Sequence, residues 1–168
     1  MRMAIVVLGA FATFWAMAAL LAARLPNWTL AFPAALSLTL GAALWRSVGP
    51  DNRAPGERRR VGRLLTWAGI AEGVVIVGGV NLVSWAGRPD LTDCIVAAVV
   101  GLHFLPLARW MPAPVFYLTG GGLLAFAIAG VALAGPLRDV AVCGGAALVL
   151  WLTLASFAVR ESIRRWLA

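Results

Sequence analysis

The chain contains no lysine; all fourteen of its basic residues are arginine. That excludes a retinal or pyridoxal Schiff base and any catalytic lysine amine. A single histidine, His103, and two cysteines without CxxC spacing leave no zinc set, so neither a metal nor a cofactor is expected. There is no Walker A loop, no serine-nucleophile elbow and no HExxH helix. Charge is scarce as well. Charged residues make up 12% of the chain, against about 25% in an ordinary soluble domain.

What the chain has is apolar surface. Of its 168 residues, 62% are hydrophobic. A globular core of this size cannot bury so much, so the excess faces lipid. The net charge of +7 does not indicate nucleic acid, because the arginines flank apolar segments rather than lining one soluble face. Abundant alanine with arginine in place of lysine fits a GC-rich bacterial genome.

The apolar stretches predict an all-α integral membrane protein, one domain over residues 1–168. Six transmembrane helices are expected, at about 4–23, 30–45, 64–86, 91–108, 115–134 and 140–159. The first resembles a signal peptide, with Arg2 ahead of it and small residues near Ala22. Its apolar run exceeds the usual ~7–15 residues, so it reads as a retained helix. Pro33 starts or kinks the second. Residues 46–63, rich in Pro, Gly and charge, read as a solvated cytoplasmic loop. The other connections are short, which predicts three antiparallel hairpins. Eleven arginines fall on the side of that loop and three (Arg24, Arg88 and Arg138) on the other. The positive-inside rule then puts both termini in the cytoplasm, with the protein in the bacterial inner membrane. Trp45, Trp67, Trp110 and Trp166 mark the inner interface, Trp28 and Trp85 the outer one.

The outer turns share a pattern. Pro26, Pro89 and Pro136 each precede an apolar helix, and with Pro26 laid on Pro89, Thr29 falls on Thr92 and Arg46 on Arg109. One reading is a threefold hairpin repeat with a site at its pseudo-symmetric centre. The other is that proline favours turns and Ala, Val and Leu fill every membrane helix.

Two ionisable residues lie inside expected spans: Glu72 in TWAGIAEGVVIVGG and His103 in VAAVVGLHFLPLARW. Both fall roughly 10–12 Å from the inner boundary at 1.5 Å per residue. A lone carboxylate there costs at least ~2.5–3.5 kcal/mol, so Glu72 is neutral, paired or hydrated. Histidine changes charge near neutral pH, which makes the two a candidate proton-exchanging pair. Pro106 removes a backbone donor three residues after His103 and is expected to bend the helix there. Thr39 and Thr119, with Thr13, Ser37 and Thr153, lie near the same depth. They either line a cavity or satisfy their own backbones. Gly69 and Gly73 bracket Glu72 in a GxxxG, expected to admit a close neighbouring helix within the chain, with a homo-oligomer contact as the second reading; Gly78, Gly79, Gly120 to Gly122, Gly144 and Gly145 offer further close-contact points. Asn81, Asp90, Asp93 and Asp139 collect at the outer face as turn and cap residues, Asp93 as the cap of the fourth span, or as a cation vestibule. Cys94 and Cys143 are two buried apolar side chains or an outer disulfide. Arg58, Arg59, Arg60, Arg164 and Arg165 form a basic rim suited to anionic lipid headgroups.

The run GLHFLPLARW, with VFYLTGGGL after it, resembles a group of small bacterial multispan membrane proteins. The three-hairpin plan is also similar to the HdeD-like acid-resistance membrane proteins. Both likenesses imply architecture and neither implies an activity. The reading of the residues is a channel or transporter for protons or a small solute, built on Glu72 and His103. Its alternative is a structural, assembly or stress-related membrane protein in which the pair is a staple. An intramembrane enzyme comes third, since only one acid–base pair is present.

Overall fold

Runs of Ala, Leu, Val and Gly with few breakers form helices. All six expected spans are helical in the structure, a computed structural model that describes residues 2–47, 54–110 and 113–166. In chain order these are α1 (Arg2–Ala22), α2 (Ala31–Ser47), α3 (Pro55–Trp85), α4 (Thr92–Trp110), α5 (Val115–Val131) and α6 (Pro136–Trp166), with short 3-10 turns at Asn27–Leu30 and Pro89–Leu91. No strand occurs among the described residues. Five of the helices are long and apolar enough to cross a membrane. The sixth, α5, has 17 residues and is about 25 Å long at 1.5 Å per residue.

The basic segment departs from expectation. Helix α2 runs on to Ser47 and α3 begins at Pro55, so residues 55–63 are helix rather than loop. Arg53 lies outside the described residues. The physical reason is local. Proline is well placed at the first helical position, Glu57 sits in the first turn, and arginine is a good helix former once a start is provided. Charge density had outweighed these signals in the sequence. Pro33 falls within the first turn of α2 and so starts that helix, whereas α4 continues through Pro106 to Trp110.

Two of the turns are built alike. After α1, Arg24 adopts φ 54° while Leu25 N–H donates to Leu20 O and Arg24 N–H to Leu21 O. After α3, Gly87 adopts φ 71° while Arg88 N–H donates to Val83 O and Gly87 N–H to Ser84 O. This is the αL helix stop that glycine normally supplies. In each case a proline follows two residues later, and the threonine three residues beyond it (Thr29 or Thr92) donates its hydroxyl to that proline's carbonyl. Between α5 and α6 Gly135 has φ 56°, but Pro136 follows at once and Asp139 stands where the threonine would be. The likeness is therefore twofold in detail.

The core lies among α1, α4, α5 and α6. Each buries one face: Ile5, Leu8, Ala12, Trp15 and Ala19 on α1; Ala97, Val100 and Phe104 on α4; Phe116, Leu123 and Ala127 on α5; Val142, Ala146, Leu150 and Leu154 on α6. Helix α2 packs on α1 and α6. Helix α3 packs on α4 and on the turn before it, and none of its described side chains is buried.

In lipid there is no hydrophobic force between helices, so close backbone approach and hydrogen bonds hold them. Two backbones come close between α4 and α5. A Cβ on Gly101 would meet Gly120 O at 2.9 Å, and one on Gly120 would meet Gly101 O at 2.7 Å. The expected internal contact at Gly69 and Gly73 does not occur, since a Cβ at either would meet nothing within 4 Å. The α3–α4 approach lies instead at Gly79, where a Cβ would meet Ile95 at 2.6 Å. Replacing Gly120 by Ala is expected to lower the melting temperature of the detergent-solubilised protein, at about 1–3 kcal/mol for an overpacked contact. Gly73→Ala should leave it unchanged or raise it. Far-UV circular dichroism on heating checks both.

Candidate functional site

Helices α3 and α4 bring Glu72 and His103 together. His103 Nδ1 lies 3.5 Å from Glu72 Oε2, with the two side chains 16% and 19% exposed. At that distance the contact is a close approach of carboxylate and imidazole rather than a short hydrogen bond, and it sets beside each other two groups that are costly alone in hydrocarbon.

The pair faces a cleft of about 320 Å³. Its walls are Val7, Leu8 and Phe11 of α1, Leu65 and Gly69 of α3, and Val100, Phe104 and Leu107 of α4, with Phe116 of α5 and Leu150 of α6 behind them. The cleft exists because α3 leans on α4 and leaves a gap beside α1. Val7 and Phe11 on the α1 wall are each 46% exposed, so the cleft opens sideways between α1 and α3. Gly69, without a side chain, contributes open space to it. Along α3 the lining ends at Glu72 and along α4 at Val100, so the cleft occupies the half of the bundle away from the α3–α4 turn.

Other sequence candidates lie elsewhere. Thr119 is buried between α5 and α6, where its hydroxyl hydrogen-bonds Thr153 at 2.7 Å and donates to Val115 O. Thr39 is exposed on α2 and donates to Leu36 O. Neither lines the cleft, and each hydroxyl donates to its own helix backbone. Thr13 and Ser37 hydrogen-bond at 2.7 Å, and Trp151 Nε1 donates to Ser37 Oγ at 2.9 Å, joining α1, α2 and α6. The expected polar layer is thus divided among separate helix seams. Pro106 lies three residues beyond His103 on α4. Arg59 and Arg60 are exposed in the first turns of α3; the side chains of Arg58, Arg164 and Arg165 lie outside those described.

A second polar centre, which the sequence did not single out, lies beside the α3–α4 turn. Arg138, 5% exposed, had been counted only as an outer charge. Its Nε donates to Gly130 O and Leu133 O, its Nη2 to Leu133 O at 2.6 Å, and its Nη1 to Asp90 O at 2.9 Å and to the Asp90 carboxylate. One guanidinium thereby closes the end of α5 and ties α6 to the turn before α4. The same carboxylate also accepts from the exposed Arg88. Nearby, Cys143 donates its thiol to Asp93 at 3.2 Å, and both cysteines are free and buried. The carboxylate of Asp93 thus joins α4 to α6.

No group of three or more potential metal ligands occurs among the described residues. Arg138→Ala should destabilise the detergent-solubilised protein by about 2–4 kcal/mol, because charged donors are withdrawn from buried carbonyls. Arg138→Lys should not restore it, since one ammonium cannot reach Gly130, Leu133 and Asp90 together. Thermal unfolding of the two variants checks this. Comparison with family models, with curated proteins and with solved structures returns no match, so a functional reading stands on the geometry alone.

Proposed function

We propose that this chain is a multipass inner-membrane transporter for protons or a small solute, with Glu72 as its titrating acid and His103 as the partner. The observation that carries the reading is an acid–imidazole pair at 3.5 Å on the wall of a partly enclosed apolar cleft. Ionisable groups at such depth are expensive and mark ion and substrate pathways. The cleft stops partway along the bundle, which favours a transporter that rearranges over a standing pore.

In this reading the six helices cross the membrane as three hairpins, with both termini and residues 46–63 in the cytoplasm. Support comes from cross-helix pairs nearly equidistant from their turns, Thr13 with Ser37 and Glu72 with His103. Further support comes from the arginine asymmetry and from Trp28 and Trp85, which are 68% and 88% exposed beside the outer turns. Arg59 and Arg60 would meet anionic headgroups of the inner leaflet.

One observation favours the alternative, a non-transporting membrane protein. Helix α3 has no buried described side chain, and Glu72–His103 spans its seam with α4, as a structural staple would.

Proton flux into proteoliposomes under an imposed pH gradient separates the two. Transport predicts flux in the wild type and at least a tenfold loss in Glu72→Gln, with the variant still monodisperse and helical. Equal flux in both would remove Glu72 from the pathway. Absence of wild-type flux, together with an unstable Glu72→Gln, is the outcome that the staple predicts.

A further inference from the structure

Resting on the transport reading, we infer that the cleft between α1 and α3 takes a lipophilic organic monocation, which exchanges with the proton or imidazole on Glu72. Three features of the lining select this class. Glu72 supplies one negative charge, so an anionic headgroup or fatty-acid carboxylate would be repelled. The rest of the wall is apolar, so a small hydrated cation would lose its water to groups unable to replace it. Phe11, Phe104 and Phe116 present aromatic surface in the same cleft, with the Phe104 and Phe116 ring centroids 5.5 Å apart. Aromatic faces attract a weakly hydrated cation most strongly where water is excluded.

Size and access agree with this. A cleft of about 320 Å³ lies at the lower end of small-molecule sites, which run ~300–1,000 Å³. Its opening between α1 and α3 faces sideways, so an amphipathic cation partitioned into the bilayer enters without crossing water. His103 is the other ionisable group of the lining; α1, α5 and α6 contribute Val7, Leu8, Phe11, Phe116 and Leu150, none of which titrates. The exchange balances in charge: one monocation enters as Glu72 gives up one proton, or as a protonated His103 gives up its own.

Equilibrium dialysis of radiolabelled methyltriphenylphosphonium against the full-length protein in detergent tests this. Saturable binding near one per chain is expected, tightening as pH rises because protons compete for the same carboxylate. Glu72→Gln should weaken binding at least tenfold. Gly69→Leu should do the same with the carboxylate still present, since its side chain fills the cleft from a position where a Cβ meets nothing within 4 Å. The second variant keeps the test decisive if the first fails to fold. No saturable binding by the folded wild type, or equal binding in wild type and both variants, overturns the assignment. Glu72-dependent proton flux without cation binding overturns it as well and leaves the proton pathway standing.

Discussion

A bundle of apolar helices in lipid is held by what its few polar groups can find, and that requirement organises this structure. An unpaired polar group in hydrocarbon costs several kcal/mol, and lipid tails compete with Leu and Val on equal terms. The buried and half-buried polar side chains therefore gather at helix seams. Thr13, Ser37 and Trp151 join α1, α2 and α6. Thr119 and Thr153 join α5 and α6. Asp93 and Cys143 join α4 and α6, and Arg138 secures the end of α5 and the turn before α4. The exception among the described residues is the Trp15 indole, buried without a partner for its Nε1. Small residues permit the rest, since α4 and α5 reach their closest approach only because Gly101 and Gly120 both lack a Cβ.

The helices were legible in the sequence because composition alone forces them. A bilayer tolerates no lipid-exposed irregular backbone, so each long apolar run becomes a helix whatever its neighbours. The ends were less legible. Residues 55–63 carry the charge density of a loop, yet Pro55 and Glu57 also make a competent helix start, and local propensity won. Packing was the least legible level. The GxxxG at Gly69 and Gly73 has the spacing of a contact, but spacing does not say which way the face points. Gly120, one of the further glycines expected to make contacts, does meet a backbone, but its partner Gly101 carried no such signal.

The site was half legible. Glu72 and His103 were readable because an acid and an imidazole at matching depth on consecutive helices have few other partners, and they lie 3.5 Å apart. Thr39 and Thr119 were not separable from ordinary hydroxyls. A threonine that donates to its own helix looks the same in sequence whether it lines a cavity or a seam. Arg138 was hidden by its neighbourhood. An arginine beside a turn usually snorkels to water; here it is 5% exposed, because Gly130 O, Leu133 O and Asp90 converge on it from separate elements. That convergence is a tertiary fact with no local trace.

The placement of the acid ties its two proposed roles together. The core helices α4, α5 and α6 are fastened to one another by backbone contact and several hydrogen bonds, whereas α3 buries none of its described side chains. Among the described residues its polar link to α4 is the Glu72–His103 pair, and its tight steric link is Gly79 against Ile95, seven residues closer to the α3–α4 turn. A helix held tightly near its turn and by a titratable bond farther along has one end free to respond to that bond. Interhelical hydrogen bonds in membranes average about 0.6 kcal/mol and reach about 1.7. In the proposed transport, proton or ligand exchange at Glu72 would act on a contact no stronger than these, a scale on which populations shift without unfolding. If the pair is a staple, it is one whose strength depends on protonation. Moving α3 relative to α1 would widen or close the cleft that the pair lines, and structural support and gating would then be the same interaction at two occupancies.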